Sequence, residues 1–155
     1  MEDNKYRVHL EIMNDDLIMD LEALIPSHYK EVARNDLFEK LNPDWEFYKM
    51  AQKQGILKVF TLRLAEDLKL IGYWFFYVRQ NPHYKDVTSA ADDILFVSKE
   101  YRGKQVHTFM KTCLEELKAV GVQTVVVHCK VAFDLEPLYT SLGFEPFEKN
   151  FIKGL

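Results

Sequence analysis

The sequence predicts an α+β fold, and three observations carry that prediction. Ile56 to Leu64 and Leu70 to Val78 are dense in β-branched and aromatic residues on either side of Ala65-Glu66-Asp67, the pattern of a long antiparallel hairpin. Asp93 to Leu117 runs from an apolar strand through a short basic turn into an amphipathic helix. Val122 to Cys129 is apolar at alternate and adjacent positions alike, as a central strand covered on both faces must be. With 155 residues, 48% of them hydrophobic, the chain can bury one good core and has little room for a second, so residues 1–155 are expected to form a single domain.

Each element has a local cause. Asn14-Asp15-Asp16 can cap a first helix in which Leu17, Leu21, Leu24 and Ile25 share a face, and Pro26 is expected to end or kink it. Pro43 suits the first turn of a second helix, with Trp45, Tyr48 and Met50 on its packing side and Gly55 closing it. The hairpin follows, and its aromatic run Tyr73 to Tyr77 fits a strand packed on both faces. The next major strand is predicted over Asp92 to Val97. Beyond it, Val106, Phe109, Met110, Cys113, Leu114 and Leu117 fall at helical spacing, with Lys104, Lys111, Glu115 and Lys118 on the wet side, and Gly121 stops that helix. After the strand at Val122 to Cys129, Asp134 can cap a short helix carrying Leu135, Leu138, Tyr139 and Leu142, which Gly143 ends. Residues 144–155 are expected to form a final tight hairpin around Glu148-Lys149-Asn150.

Composition excludes several classes of function. The net charge is -4 and no run of basic residues occurs, so no nucleic-acid footprint is expected. The first ten residues lack a signal-peptide core, and the longest apolar run, Ile71 to Val78, is far too short to span a membrane, so no membrane partner is expected either. The two cysteines, Cys113 and Cys129, suit a reducing cytoplasm better than a disulfide scaffold. Among His9, His28, His83, His107 and His128, none forms a metal pair at helical spacing, so no metal is expected. No G-x-S-x-G elbow occurs, and Cys113 falls on the core face of its helix.

The chemistry concentrates in Asp93 to Leu117. A strand that ends at a helix N-terminus presents unpaired backbone N–H groups and the positive end of the helix dipole, and Arg102 and Lys104 add charge there. Such a turn suits a phosphate.

Two stretches at the right separation give this turn a context. YRGKQVH, from Tyr101 to His107, resembles the motif of Arg or Gln, two residues, Gly, one residue, then Gly or Ala, of the Gcn5-related N-acetyltransferase superfamily. LYTSLGF, from Leu138 to Phe144, is similar to that family's last helix, where a tyrosine stands four residues before a glycine and an aromatic. The order of elements is also the family's, and the segment from Asn81 to Lys104 looks like a branch encoded by tailed bacteriophages. The resemblance covers roughly Gly55 to the C-terminus.

The resemblance implies a three-layer α/β arrangement with a mixed, mostly antiparallel central sheet and helices on both faces. It also implies an N-acetyltransferase that takes acetyl-CoA as cosubstrate and passes the acetyl group to an amine acceptor, a small molecule or a protein, by direct attack in a ternary complex. The pantetheine would pair with Leu95, Phe96 and Val97, and the pyrophosphate would rest on Arg102, Gly103, Lys104, Gln105, Val106 and His107. Gln105 and His107 depart from the motif, because small residues there let the backbone approach the pyrophosphate. Tyr139 is the expected proton donor to the leaving thiolate. The candidates for the base are Asp92, Asp93 and, further off, Glu100, and strict strand alternation allows at most one of the two aspartates to point at the acceptor. His83 and Tyr84, in a loop, and His128, near the open end of its strand, are candidates for substrate contact. A homodimer, a catalytically silent fold used as a protein-binding module, and a transferase using another acyl-CoA are all compatible with the same residues.

Overall fold

The computed structural model describes residues 5–33, 37, 38 and 40–155. Its elements are β1 (Tyr6–Leu10), α1 (Asp15–Val32), α2 (Trp45–Lys53), β2 (Leu57–Leu64), β3 (Leu70–Asn81), β4 (Tyr84–Val97), α3 (Lys104–Ala119), β5 (Thr124–Val126) and α4 (Glu136–Ser141), with a single 3-10 turn at Lys99–Tyr101. The strands form one sheet in chain order, antiparallel throughout except for the parallel β4–β5 pair. No helix among the described residues is long and apolar enough to cross a membrane.

The sheet is covered on both faces. On one side Leu57, Val59, Tyr73, Phe75 and Phe96 pack against Leu17, Leu21 and Ile25 of α1 and Ala51 of α2. On the other, Phe60, Leu62, Trp74 and Phe76 meet Phe109, Met110, Cys113 and Leu117 of α3 and Tyr139 of α4. The run Tyr73 to Phe76 is therefore buried completely, as its composition predicted.

The Asn14 cap acts where the sequence placed it, its Oδ1 accepting the Leu17 N–H at 2.9 Å, while Asp44, which the sequence did not single out, caps the second helix by accepting the Phe47 N–H at 2.9 Å. Asp44 rather than Pro43 thus begins α2, and Met50 is half exposed while Ala51 packs. Pro26 does not end α1, which continues to Val32. Ile25 is buried just before it, and His28, just after, shares a 2.8 Å hydrogen bond with the Tyr73 hydroxyl, so tertiary contacts hold the helix on both sides while Pro26 itself faces water.

The strands differ from expectation at several places, for identifiable reasons. β1 was not foreseen; it is a five-residue edge strand in which Tyr6 and Val8 alone turn inward. β4 starts at Tyr84, not Asp92, because β3 runs on to Asn81 and turns directly into it. β5 keeps only Thr124 to Val126 of the predicted Val122 to Cys129 and lies at the sheet edge, with Val126 42% exposed, so it is not covered on both faces. The C-terminal hairpin is also absent: residues 144–155 contain no strand, and Phe147, Phe151 and Ile152 are exposed.

Candidate active site

The site begins with an irregularity in β4. Phe75 pairs with Ile94 and Phe76 with Asp92, so Asp93 is an extra residue, a β-bulge. The bulge exchanges the faces of the strand. Ala90 packs on the α3 side and Asp92 bonds Trp74 there, yet beyond the bulge Ile94 and Phe96 belong to the α1 side and Leu95 and Val97 to the α3 side. Alternation alone had paired Asp93 with Leu95 and Val97 and left at most one aspartate at the acceptor. Asp92 turns to the Trp74 side and Asp93 to the Tyr48 side, so the two aspartates still take opposite faces, and both line one cleft because it opens at the edge of the strand.

The cleft opens where β4 and β5 part. Their ladder covers Ser89 to Ala91 against Thr124 to Val126, and beyond it Asp92 to Val97 face His128, Cys129 and Lys130 across a cavity of about 650 Å³. Helix α1 and the chain leading into α2 form its other wall. Asp92 spans the gap in place of backbone pairing. Its Oδ1 accepts both the backbone N–H of His128 at 3.0 Å and the ring Nδ1–H at 2.6 Å, and its Oδ2 accepts the Trp74 indole N–H at 3.2 Å. Tyr139 fixes the same residue from behind, donating its phenol to the His128 carbonyl at 2.9 Å. The hydrogen bond to Asp92 holds the His128 imidazole above its usual pKa, against an opposing effect of burial.

Asp93 has a different environment. Its Oδ2 accepts the Tyr48 hydroxyl at 2.7 Å, and burial raises its pKa although that hydrogen bond opposes the rise. Burial, and then the hydrogen bond to Asp93, hold the Tyr48 phenol well above its ordinary value, so it stays a donor. His28, beside the cleft, stacks on Phe96 with ring centroids 4.9 Å apart; burial lowers its pKa to about 4 and keeps it neutral.

The turn after β4 departs from expectation in its side chains. Arg102 reaches into the cleft instead of outward: both Glu31 oxygens accept its Nη2 at 2.7 and 2.8 Å, its Nε donates to the Val97 carbonyl, and its guanidinium lies over Phe96 and Phe133. Gln105 folds back and donates to the Tyr101 carbonyl. Its side chain lies against Gly103, where a Cβ would meet Gln105 Oε1 at 3.1 Å, and the Gly103 φ of +154° is one that other residues rarely adopt. No side chain caps α3, and the Val106 N–H turns back to the Gly103 carbonyl at 3.0 Å.

Of the residues read from sequence, Asp92, Asp93, Leu95, Phe96, Val97, Arg102, Gly103, Val106 and His128 line the cleft. Lys104, Gln105 and His107 lie at the start of α3 outside that lining, and Tyr139 stands behind it. Glu100 is exposed on the 3-10 turn. His83 and Tyr84 do not reach the cleft, because they form the β3–β4 turn at the far end of the hairpin. The sequence did not single out Tyr48, Glu31 or His28, which come from the two N-terminal helices.

The sequence matches no family model, and no curated protein matches it. Solved structures do resemble it. An aminoglycoside acetyltransferase from an uncultured soil metagenomic sample superposes with a TM-score of 0.76 at 18% identity, over 99% of this chain and 98% of the other. A ribosomal-protein-alanine N-acetyltransferase from Brucella melitensis biovar Abortus gives 0.70 at 16% identity, over 97% and 99%. A predicted acetyltransferase from Clostridium acetobutylicum, solved with acetyl-CoA, gives 0.70 at 13%, over 96% of each chain. At these identities the likeness establishes the fold, which is the one the sequence motifs implied.

Proposed function

On that fold, we propose that the chain is an acetyl-CoA-dependent N-acetyltransferase acting on an amine. The observation that carries the proposal is the open edge of β4, Asp92 to Val97, leading through Gly103 into the uncapped N-terminus of α3. Unpaired strand amides and carbonyls suit the two amides of a pantetheine arm, and a free helix N-terminus suits a pyrophosphate. The fit does not require Arg102, whose charge Glu31 already satisfies.

Acetyl-CoA supplies the activated thioester, and the chain's residues handle the protons. Asp93 receives the acceptor's ammonium group. His128, with Nδ1–H committed to Asp92, offers Nε2 as the base that removes the ammonium proton, so the neutral amine can attack the carbonyl carbon. Asp92 is not itself the base, since both its oxygens are engaged. Tyr139 holds a proton for the departing thiolate, and its burial, with the nearby Asp92 charge, keeps the phenol protonated far above neutral pH.

Calorimetric titration with acetyl-CoA tests the first claim: binding is expected, and none at millimolar ligand refutes the enzyme. For Tyr139→Phe, thiol release is expected to fall by about 10²-fold with acetyl-CoA affinity unchanged. Equal rates would remove Tyr139 from the chemistry.

A further inference from the structure

Resting on that function, the charge balance of the cleft narrows the acceptor. Three carboxylates line it among the described residues: Glu31, Asp92 and Asp93. Glu31 is neutralised by Arg102 with both oxygens bound. Asp92 is satisfied by His128 and the Trp74 indole. Asp93 has the Tyr48 phenol, a neutral donor, and forms no salt bridge among the described residues; His128 is near enough to lower its pKa when charged, but acts here in its neutral form. The lining also carries Lys40 and Lys130, which repel further positive charge. One carboxylate is therefore left to meet one ammonium group.

The wall around Asp93 is apolar and flat. Ile25 and Trp45 line the cleft beside Tyr48, whose ring lies 5.9 Å from that of Trp45 and edge-on to Phe75. Trp45 is held in place, its indole N–H donating to Glu22 at 3.1 Å. Aromatic faces of this kind favour a ring or a hydrocarbon body and also stabilise a cation beside them. A polyamine or aminosugar brings several charges and hydroxyls, for which this wall offers few partners.

We propose that the acceptor is a singly charged primary amine on an apolar, aromatic-sized body, with Asp93 as its only ionic anchor among the described residues. The test has two arms. Calorimetry with acetyl-CoA establishes donor binding, and thiol release is then measured with 2-phenylethylamine, spermidine, kanamycin A and a peptide with an N-terminal alanine. The expected result is a kcat/KM for 2-phenylethylamine at least about tenfold above each of the others, with Asp93→Asn raising its KM at least about tenfold at unchanged acetyl-CoA affinity. Equal or faster turnover of spermidine, kanamycin or the peptide overturns the proposal, as does an unchanged KM in Asp93→Asn. A protein that binds acetyl-CoA yet acetylates none of the four overturns the acceptor class alone. One that binds no acetyl-CoA overturns the function beneath it.

Discussion

Along one edge β4 is paired with β3 from Tyr84 to Val97, whereas along the other its ladder with β5 lasts three residues. The paired edge is backed by side chains from which water is fully excluded, Trp74, Phe75 and Phe76 among them. The open edge is bridged by Asp92, a side chain standing where backbone hydrogen bonds would otherwise run. The contrast shows how one strand can be both scaffold and site: rigidity supplied from β3 lets the β5 side stay apart without the strand fraying.

The contrast is broken most severely from the scaffold side. Phe76→Ala empties the space between Trp74, Phe60 and α3 and is expected to cost about 3–5 kcal/mol in urea denaturation, a large share of the stability of a domain this size. A smaller effect is expected at the bridge. Asp92→Asn should lower kcat by about 10²-fold, because the amide has one acceptor oxygen where Asp92 uses two, cannot serve both His128 and Trp74, and no longer fixes the tautomer of His128 with a charge. The pH profile supplies the sign. His128 must be neutral to act, and Asp92 raises its pKa, so activity in the parent rises with pH through a value above that of free histidine; in Asp92→Asn that limb should move to lower pH. A limb that stays in place would assign the base elsewhere. The smallest effect concerns the mouth of the cleft. Glu31→Gln releases Arg102 from a half-exposed ion pair, and acetyl-CoA is expected to bind about two- to fivefold more tightly, in keeping with the modest worth of such pairs. Weaker binding would mean that the pair shapes the cleft instead of occupying a cation.

The sequence makes the scaffold more legible than the site. The hairpin of β2 and β3, the helix α3 and the cap at Asn14 follow from short-range patterns that burial reinforces. The edge strand β1 was also written in period two, Tyr6-Arg7-Val8-His9-Leu10, but five residues with one wet face give a weak signal. In the site, the turn at Gly103 was legible because glycine and helix periodicity mark it. The bulge was not, since nothing in the residues around Asp93 announces an extra position and only pairing with β3 reveals it. Nor were Tyr48 and Glu31, which meet Asp93 and Arg102 across 45 and 71 residues of chain. Arg102 lines the cleft, but its pairing with Glu31 was hidden for a related reason: a basic residue in a turn says where charge is, and tertiary neighbours decide what it meets.

The bulge carries one more consequence. Since Asp93 is the supernumerary residue, every side chain before and after it already sits on the face that an uninterrupted strand would give it once that position is removed. Excising Asp93 is thus a different operation from substituting it. The strand would regain its regular pleat with its core side chains on their present faces, and β4 and β5 would be expected to pair past Ala91. The cleft is, in this sense, tied to a single-residue insertion into an otherwise ordinary sheet, and taking that residue out should yield a folded chain that has lost its pocket.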